Sequence, residues 1–150
     1  MAIVTLLRNV LKPSIGWLAL ATPLIDLVLR LYVANIFWKS GQTKIANMDQ
    51  TVQLFEYVYQ VPVLPPAFAA YLATYAELIF PILLVLGLAT RFAALSLTIL
   101  NIVAVISFPD LNDAGLQQHI VWGIMLLVTL LHGPGKLAVD HWIHKKYWDE

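Results

Sequence analysis

The sequence predicts an all-α integral membrane protein, a four-helix bundle with short interfacial helices. Its 150 residues are 60% hydrophobic and 12% charged, whereas soluble domains are about 45–50% apolar and about 25% charged. The mean hydropathy is +0.77. Four apolar stretches approach the roughly 20 residues that a helix needs to cross a bilayer. We therefore treat residues 1–150 as one transmembrane domain.

Charge and cysteine content exclude several classes of protein and of site. Nine basic and nine acidic residues cancel, so composition gives no reason to expect a nucleic acid as partner. The chain has no cysteine, which excludes disulfides, thiolate metal sites and c-type haem attachment. No nucleophile–base pair or phosphate-binding loop is apparent. Catalytic residues are therefore not assigned, and no metal site is predicted.

The N-terminal residues 3–11 form a short apolar run that ends at Lys12 and Pro13. The run is too short to cross a bilayer, so we expect a helix at the interface, with Arg8 and Lys12 on the phospholipid headgroups. No small-residue cleavage site precedes the next apolar segment. We therefore expect this segment to be retained and not removed as a signal peptide.

The first predicted span, residues 18–38, carries an unusual polar load. Asp26 and Arg30 are four residues apart and share a helix face, which continues to Lys44. One interpretation is that they form an ion pair within the helix, whose only role is to let the span insert into the membrane. The other is that Arg30 also reaches Glu77 and lies between two carboxylates.

The second predicted span, residues 67–89, follows a long connection that holds a short surface helix near residues 52–58. Glu77 lies near the middle of this span. A carboxylate there costs about 2.5–3.5 kcal/mol on insertion scales, so we expect it to face a partner or a wet cavity. Pro81 has no backbone N–H, so it cannot donate to the Glu77 carbonyl four residues earlier. That carbonyl is a second polar group at the same depth as the Glu77 side chain.

The third and fourth predicted spans, residues 92–108 and 116–132, each add polar side chains. Asn101 is either an interhelical hydrogen-bonding residue that holds helices together or part of a site. His119 shares a helix face with Trp122, and the pair is either interfacial or ligand-binding.

Loop charges predict the orientation of the four spans. Basic residues of the termini and of the turn after the second span fall on one side: Arg8, Lys12, Arg91, Lys136, Lys145 and Lys146. The other side holds two basic residues balanced by two acidic ones, together with an acidic turn: Lys39, Lys44, Asp49, Glu56, Asp110 and Asp113. The positive-inside rule then places both termini in the cytoplasm.

In this topology polar residues of all four spans converge on the outer half of the bundle, and we predict a pocket that opens outward. The predicted ligand-binding residues are Arg30, Lys44, Glu77, Asn101, His119 and Trp122. The predicted structural or topological residues are Asp26, Pro81 and Arg91. Acids and bases that meet in one pocket suit proton-coupled quinone chemistry or recognition of a small polar group.

Three segments carry a resemblance to a known family. They are RLYVANIFWKSGQTK at residues 30–44, AELIFPILLVLGLATR at residues 76–91 and GPGKLAVD at residues 133–140. With the spans between them, the chain resembles the DoxX family of small bacterial membrane proteins over about residues 20–142. Residues 1–19 fall outside the resemblance.

The resemblance implies a four-helix protein of the bacterial inner membrane. It also implies kinship with the small subunit of a thiosulfate:quinone oxidoreductase, and it carries over Arg30, Lys44, Glu77 and Arg91 as family-pattern positions. Relatives occur as accessory proteins in redox-stress complexes. The segment at residues 59–66 looks like that of members encoded beside enzymes that make metal-binding peptides.

Two functions of different classes follow. The first is a quinone- or redox-linked accessory subunit with an outward-facing polar pocket, and quinone is then the expected cofactor. The second is a non-catalytic membrane anchor or chaperone for a partner protein, in the maturation or export of a metal-binding peptide. A transporter is the weakest of the hypotheses, because four spans without repeats need oligomerisation to form a pathway. Besides the lipid bilayer, we expect a protein partner or a homo-oligomer.

Overall fold

The computed structural model describes the backbone of residues 2–147 and the side chains of residue 16 and residues 20–147. This part of the chain forms six helices and no strand: α1 (Ala2–Ala46), α2 (Met48–Tyr57), α3 (Pro66–Leu86), α4 (Thr90–Ser107), α5 (Asp113–His132) and α6 (Val139–Tyr147). Four of them are long and apolar enough to cross a membrane, namely α1 from Leu20 onward, α3, α4 and α5. The predicted all-α fold with four spans is confirmed, and α2 and α6 are the short helices.

Helix α1 corrects two expectations at once. The predicted break at Lys12 and Pro13 is wrong, because α1 is a single helix of 45 residues. The side chains of Arg8 and Lys12, which we expected at the headgroups, lie outside the described residues. At its other end α1 continues beyond residue 38 to Ala46. It stays helical there because Gly41 is buried against α3 and Lys44 is turned inward.

The bundle is built around the contact between α1 and α3. Helix α3 also packs on α4, and α5 packs on α4 and α1. The buried core between them consists mainly of Val33, Phe37, Leu84, Leu97 and Leu126. Leucine and isoleucine side chains on the outer faces of the four spans are exposed, as expected where hydrocarbon surrounds the bundle. Neighbouring spans in sequence run antiparallel, so the molecule has two distinct ends.

We name these ends after the short helix that each carries. The α2 end comprises the last turns of α1, helix α2, the connection at residues 58–65 and the turn at residues 108–112. The α6 end comprises the turn at residues 87–89, the segment at residues 133–138 and helix α6. Short connections make this arrangement compact, because the α3–α4 turn has only three residues between its helices.

Gly87 makes the tight α3–α4 turn possible. It ends α3 in the left-handed conformation, with φ of 68°, which glycine adopts without steric cost. A Cβ at this position would overlap the Arg30 guanidinium and Ala138. The glycine therefore serves two purposes, since it turns the chain and leaves room for the side chain that holds the α6 end together.

Candidate functional site

A cavity of about 330 Å³ opens between the spans at the α2 end. That volume lies within the roughly 300–1,000 Å³ of small-molecule sites. Its walls are mostly apolar and aromatic, with a few polar groups. The side chains that carry the argument below are Ser40, Lys44, Phe55, Tyr59, Glu77, Ser107, His119 and Trp122.

An ion pair between α1 and α3 forms the most polar wall of the cavity. Lys44 Nζ lies 2.6 Å from Glu77 Oε2. The ammonium also donates to Ser40 Oγ at 2.7 Å. Glu77 is buried, with 7% of its surface exposed, whereas the Lys44 side chain keeps 20% exposure. The carboxylate at mid-span thus has a cation to face, as expected for an acid at that depth.

Helix packing brings Lys44 and Glu77 together. A Cβ added to Gly41 would lie only 3.1 Å from the backbone carbonyl carbon and the Cβ of Glu77. Absence of a side chain at residue 41 therefore lets α1 approach α3 closely, as small residues do in membrane bundles. Lys44 and Ser40 flank this contact, three residues after Gly41 and one before it. Because residues four apart share a helix face, both side chains point to the same wall.

Asn101 and His119 form a second polar pair, between α4 and α5. Asn101 Nδ2 donates to the His119 backbone carbonyl at 2.9 Å, so its Oδ1 is the acceptor that lies 2.8 Å from His119 Nδ1. An amide oxygen only accepts, so Nδ1 of the imidazole carries the proton. In the neutral ring, Nε2 is then an acceptor. The His119 ring packs edge-on against Trp122, with centroids 4.8 Å apart.

Helix α2 and the residues after it cover this end of the cavity. Tyr59 packs edge-on against Phe55 and Phe108, with ring centroids at 5.1 and 5.5 Å. The Gln60 N–H donates to the Ser107 carbonyl at 2.7 Å and ties the connection to the end of α4. The buried Ser107 hydroxyl has no hydrogen-bond partner among the described residues, and it lines the cavity.

Several of these cavity residues were not predicted from the sequence. Ser40 could have been found, because it lies four residues before Lys44 on the same helix face. Phe55 could have been found from the spacing of Thr51 and Phe55, which are the two buried residues of α2. No sequence signal identifies Ser107. Tyr59 fits the aromatic belt of a membrane interface equally well.

Arg30 does not reach Glu77, and that expectation was wrong. Its guanidinium donates to the Leu84 carbonyl at 3.2 Å and to the Leu137 carbonyl at 2.9 Å. Leu84 is seven residues beyond Glu77 on α3, a rise of about 10 Å. Arg30 therefore lies nearer the α6 end and does not line the cavity. Arg30 and Lys44 share a face of α1, but they lie 14 residues apart, about 21 Å along the helix. Each therefore contacts a different end of the bundle.

The expected ion pair between Asp26 and Arg30 is also absent from the described part of the chain. Asp26 instead lies 2.9 Å from His132 Nδ1, which joins α1 to the end of α5. Arg91 is exposed and lies over Gly133. Pro81 is buried inside α3, on the face toward α1.

Residues 133–140 bind to the α3–α4 turn and to α1 at the α6 end. The carboxylate of Asp140 accepts from the backbone N–H groups of Ala89 and Thr90, at 2.8 and 2.7 Å. These donors open helix α4, whose first turn otherwise lacks acceptors. The Asp140 N–H donates to the Gly87 carbonyl at 2.9 Å. With the Arg30 bond to Leu137, the three sequence segments that carry the family resemblance all meet at this end.

Comparisons with known proteins found one family model and two similar proteins. The sequence model of the DoxX family matches residues 25–110. A Haemophilus influenzae protein named "Uncharacterized protein" is 34% identical over 127 residues, which cover 81% of this chain and 84% of that protein. A Bacillus subtilis protein named "Putative oxidoreductase CatD" is 30% identical over 123 residues, 79% of this chain and 87% of the relative. No solved structure matches the chain.

Proposed function

The chain belongs to the DoxX family of membrane proteins, and we propose that it is a quinone-linked accessory subunit of the bacterial inner membrane. The observation that carries the proposal is the cavity at the α2 end, in which an ion pair, an imidazole and an unpartnered hydroxyl line otherwise apolar walls. The name of the Bacillus subtilis relative, which describes an oxidoreductase, supports a redox role.

The residues on the cavity walls fit a quinone headgroup. A quinone supplies a flat ring that accepts two electrons and two protons, with a carbonyl oxygen on each side. Lys44 and the Ser107 hydroxyl donate hydrogen bonds to such oxygens, and Trp122 and Tyr59 pack on the ring. Ligand sites commonly combine aromatic walls with a few placed polar groups in this way.

Proton exchange at this site falls to Glu77 and His119. With a reduced quinone bound, the Glu77 carboxylate would accept a proton from a ring hydroxyl and give it back in the reverse direction. Lys44 balances the charge of the carboxylate while it is ionised. Asn101 holds His119 with Nδ1 protonated, so Nε2 can accept a proton on the opposite wall. Because the chain has no cysteine, we assign the delivery of electrons to a partner protein.

The orientation belongs to the same proposal. Arg91, Lys136, Lys145 and Lys146 lie at the α6 end, whereas Asp110 and Asp113 lie at the turn of the α2 end. The positive-inside rule puts the α6 end in the cytoplasm, and the cavity then opens toward the outer face. Labelling of Lys136→Cys and Asp110→Cys with a membrane-impermeant thiol reagent, added outside intact cells, tests this. Only Asp110→Cys should react.

Quinone retention by the purified protein tests the function. The full chain, extracted in a mild detergent, should release quinone into organic solvent in near-stoichiometric amount. Glu77→Gln keeps the shape of the side chain but removes its charge. It should lower the affinity for a reduced short-chain quinone about tenfold, because the ring hydroxyl loses a hydrogen bond to a charged group, which contributes about 1.5–3 kcal/mol. Quenching of tryptophan fluorescence measures that affinity, with Trp122→Phe identifying the reporting ring.

The matched control is Glu56→Gln, the same chemical change at an exposed residue of α2 that does not line the cavity. It should bind quinone as the unchanged protein does. Absence of quinone from the gently extracted protein, together with no quenching by the short-chain analogue, would overturn the proposal. The anchor or chaperone function would then be the remaining hypothesis.

A further inference from the structure

Asn35 is a polar residue on the outside of the bundle. It lies 15 residues beyond Leu20 in the span that ends at Ala46, about 22 Å along the helix and therefore well inside the hydrocarbon. Its side chain is exposed. Its amide has no hydrogen bond within the described part of the molecule. An amide without a partner in hydrocarbon costs several kcal/mol.

Several other polar side chains of the spans are paired within the chain. The hydroxyls of Thr90 and Ser107, unpaired in the part of the chain that the structure describes, are buried inside the bundle. Asn101 pairs with His119, and three threonine hydroxyls donate to the carbonyl four residues earlier, namely those of Thr74, Thr98 and Thr129. Threonine can do this anywhere on a helix. The asparagine amide instead has two N–H donors and an acceptor oxygen, which need partners outside its own helix. Asn35 therefore indicates a partner that the single chain does not provide.

The amide lies in a groove between α1 and α3. This groove has a volume of about 400 Å³ and is otherwise apolar: its walls are Leu31, Ala34, Trp38, Pro81, Ile82, Val85 and Leu86. Ala34 is buried at its floor, and the leucine and valine side chains at its rim are 41–50% exposed. A shallow apolar groove with one central amide has the composition of an interface between membrane helices.

We propose that a second copy of this chain packs on this groove, with the two Asn35 amides hydrogen-bonded to each other across a two-fold axis. An amide is self-complementary, because Nδ2–H of each copy donates to Oδ1 of the other. A two-fold axis brings the same residue of both copies together. Lipid chains fill the groove but carry no donor or acceptor, so they leave the amide unpaired.

Membrane insertion fixes the geometry further. Both copies insert in the same direction, so the axis lies along the membrane normal and the two α1 helices run parallel. Leu31 and Trp38, one turn to either side of Asn35, then approach their own counterparts. A single buried asparagine specifies the register and number of helices in parallel coiled coils by the same pairing. The interface lies away from the quinone cavity, so this proposal does not depend on the proposed function.

Disulfide crosslinking in native membranes tests the contact. The chain has no cysteine, so Leu31→Cys places one thiol beside the axis and leaves Asn35 intact. An oxidant should convert most of the Leu31→Cys protein to a covalent dimer. The matched control is Ile99→Cys, exposed near the middle of α4 on another face. It should give only the small yield expected of random collisions.

The role of the amide is tested in the full-length protein reconstituted into vesicles. Energy transfer between donor- and acceptor-labelled copies, followed on dilution with lipid, measures the dimer dissociation constant. Asn35→Leu should raise that constant about tenfold, in line with the strength of interhelical hydrogen bonds in membranes. Asn35→Gln keeps the amide, so it should raise the dissociation constant less than Asn35→Leu does.

Three results would overturn the proposal. The first is equal crosslinking of Leu31→Cys and Ile99→Cys. The second is energy transfer no greater than that of randomly mixed copies, which would leave the groove to a lipid or to another protein. The third is a dimer that Asn35→Leu does not weaken, since an apolar interface would then be sufficient. The helical circular dichroism of Asn35→Leu in detergent should be unchanged, which shows that the variant is folded.

Discussion

Helix α1 carries two inward-facing cations, and they lie in contrasting surroundings. Arg30, at the α6 end, is 1% exposed and donates to two backbone carbonyls. Lys44, at the α2 end, is partly exposed and pairs with the carboxylate of Glu77 on the wall of a cavity. One cation is bound by the main chain of the fold, and the other by a side chain that a ligand can reach.

The difference separates a structural role from a binding role. Backbone carbonyls are present whatever the side chains are, so Arg30 closes the α6 end permanently and links α1 to α3 and to residue 137. A carboxylate can instead take a proton or change partner. The rigid end therefore positions the spans, and the cavity end is where exchange is chemically possible. We therefore expect removal of the two cations to have different consequences.

The largest effect is expected for Arg30→Met. This change removes both hydrogen bonds of the guanidinium: the Leu84 carbonyl keeps only the Gly87 N–H, at 3.2 Å, and the partly buried Leu137 carbonyl loses its side-chain donor. Hydrogen bonds to charged groups contribute about 1.5–3 kcal/mol each. We expect the free energy of unfolding to fall by about 3 kcal/mol. Circular dichroism during denaturant unfolding in detergent micelles measures it.

Arg91→Met is the control for that prediction. Arg91 is an exposed arginine of the same end, so its loss should change stability by less than about 0.5 kcal/mol. Arg30→Lys should restore only part of the loss, because an ammonium lacks the planar fork that spans two carbonyls. Equal stability of the Arg30→Met and Arg91→Met proteins would contradict the structural role of Arg30.

Asp140→Ala should have the next largest effect, also at the α6 end. The carboxylate caps the first turn of α4 from outside that helix. Loss of a capping acceptor costs about 0.5–2 kcal/mol, so we expect a decrease of about 1–2 kcal/mol. Residues 133–138 should also detach more often, which exposes Lys136 to trypsin. Mass spectrometry of the digest measures the rate of cleavage there.

Asp140→Asn is the conservative comparison for this capping residue. An asparagine keeps one acceptor oxygen, so cleavage at Lys136 should rise less than in Asp140→Ala. Chymotrypsin cleavage after Tyr57, which is exposed at the end of α2, serves as the reference for the other end of the bundle and should not change. If both sites become more sensitive to the same degree, Asp140 stabilises the whole bundle and not the α6 end alone.

Much of this fold follows from the sequence, because length and apolar content alone determine which segments can cross a bilayer. All four spans were predicted for that reason. Pairing of Asn101 with His119 is also accessible in principle, since α4 and α5 are joined by a short turn and run antiparallel.

The partners of Arg30 and Lys44 could not be predicted from the sequence in the same way. Periodicity gives the face of a helix but not its displacement along a neighbour. A shift of about 10 Å decides whether Glu77 meets Arg30 or Lys44, and the close approach at Gly41 determines that shift. The partners of Arg30 are also main-chain carbonyls, which every residue has, so no sequence pattern marks Leu84 or Leu137. The continuity of α1 through Pro13 was not predicted either. A proline in a sequence indicates a helix end, although long membrane helices tolerate one.

The smallest net effect is expected at the cavity end, from changing both members of the ion pair. Lys44→Met leaves the Glu77 carboxylate buried without a cation, and Glu77→Gln leaves the ammonium without a counter-charge. Each single change should lower the free energy of unfolding by about 1–2 kcal/mol, less than the roughly 3–5 kcal/mol of a fully buried pair, because the Lys44 side chain is 20% exposed. Lys44→Met combined with Glu77→Gln should cost no more than the worse single change, because removal of both charges leaves neither one unpaired.

The measurement is a double-mutant cycle of unfolding free energies, in which contacting residues show coupling of about 0.5–3 kcal/mol. The same cycle for Arg30→Met with Glu77→Gln should show additive effects, because those residues occupy different ends of the bundle. Additivity in the Lys44 cycle would contradict the ion pair. Coupling of Arg30 with Glu77 instead would restore the earlier expectation of one arginine between two carboxylates, and the separation of a structural end from a binding end would then fail.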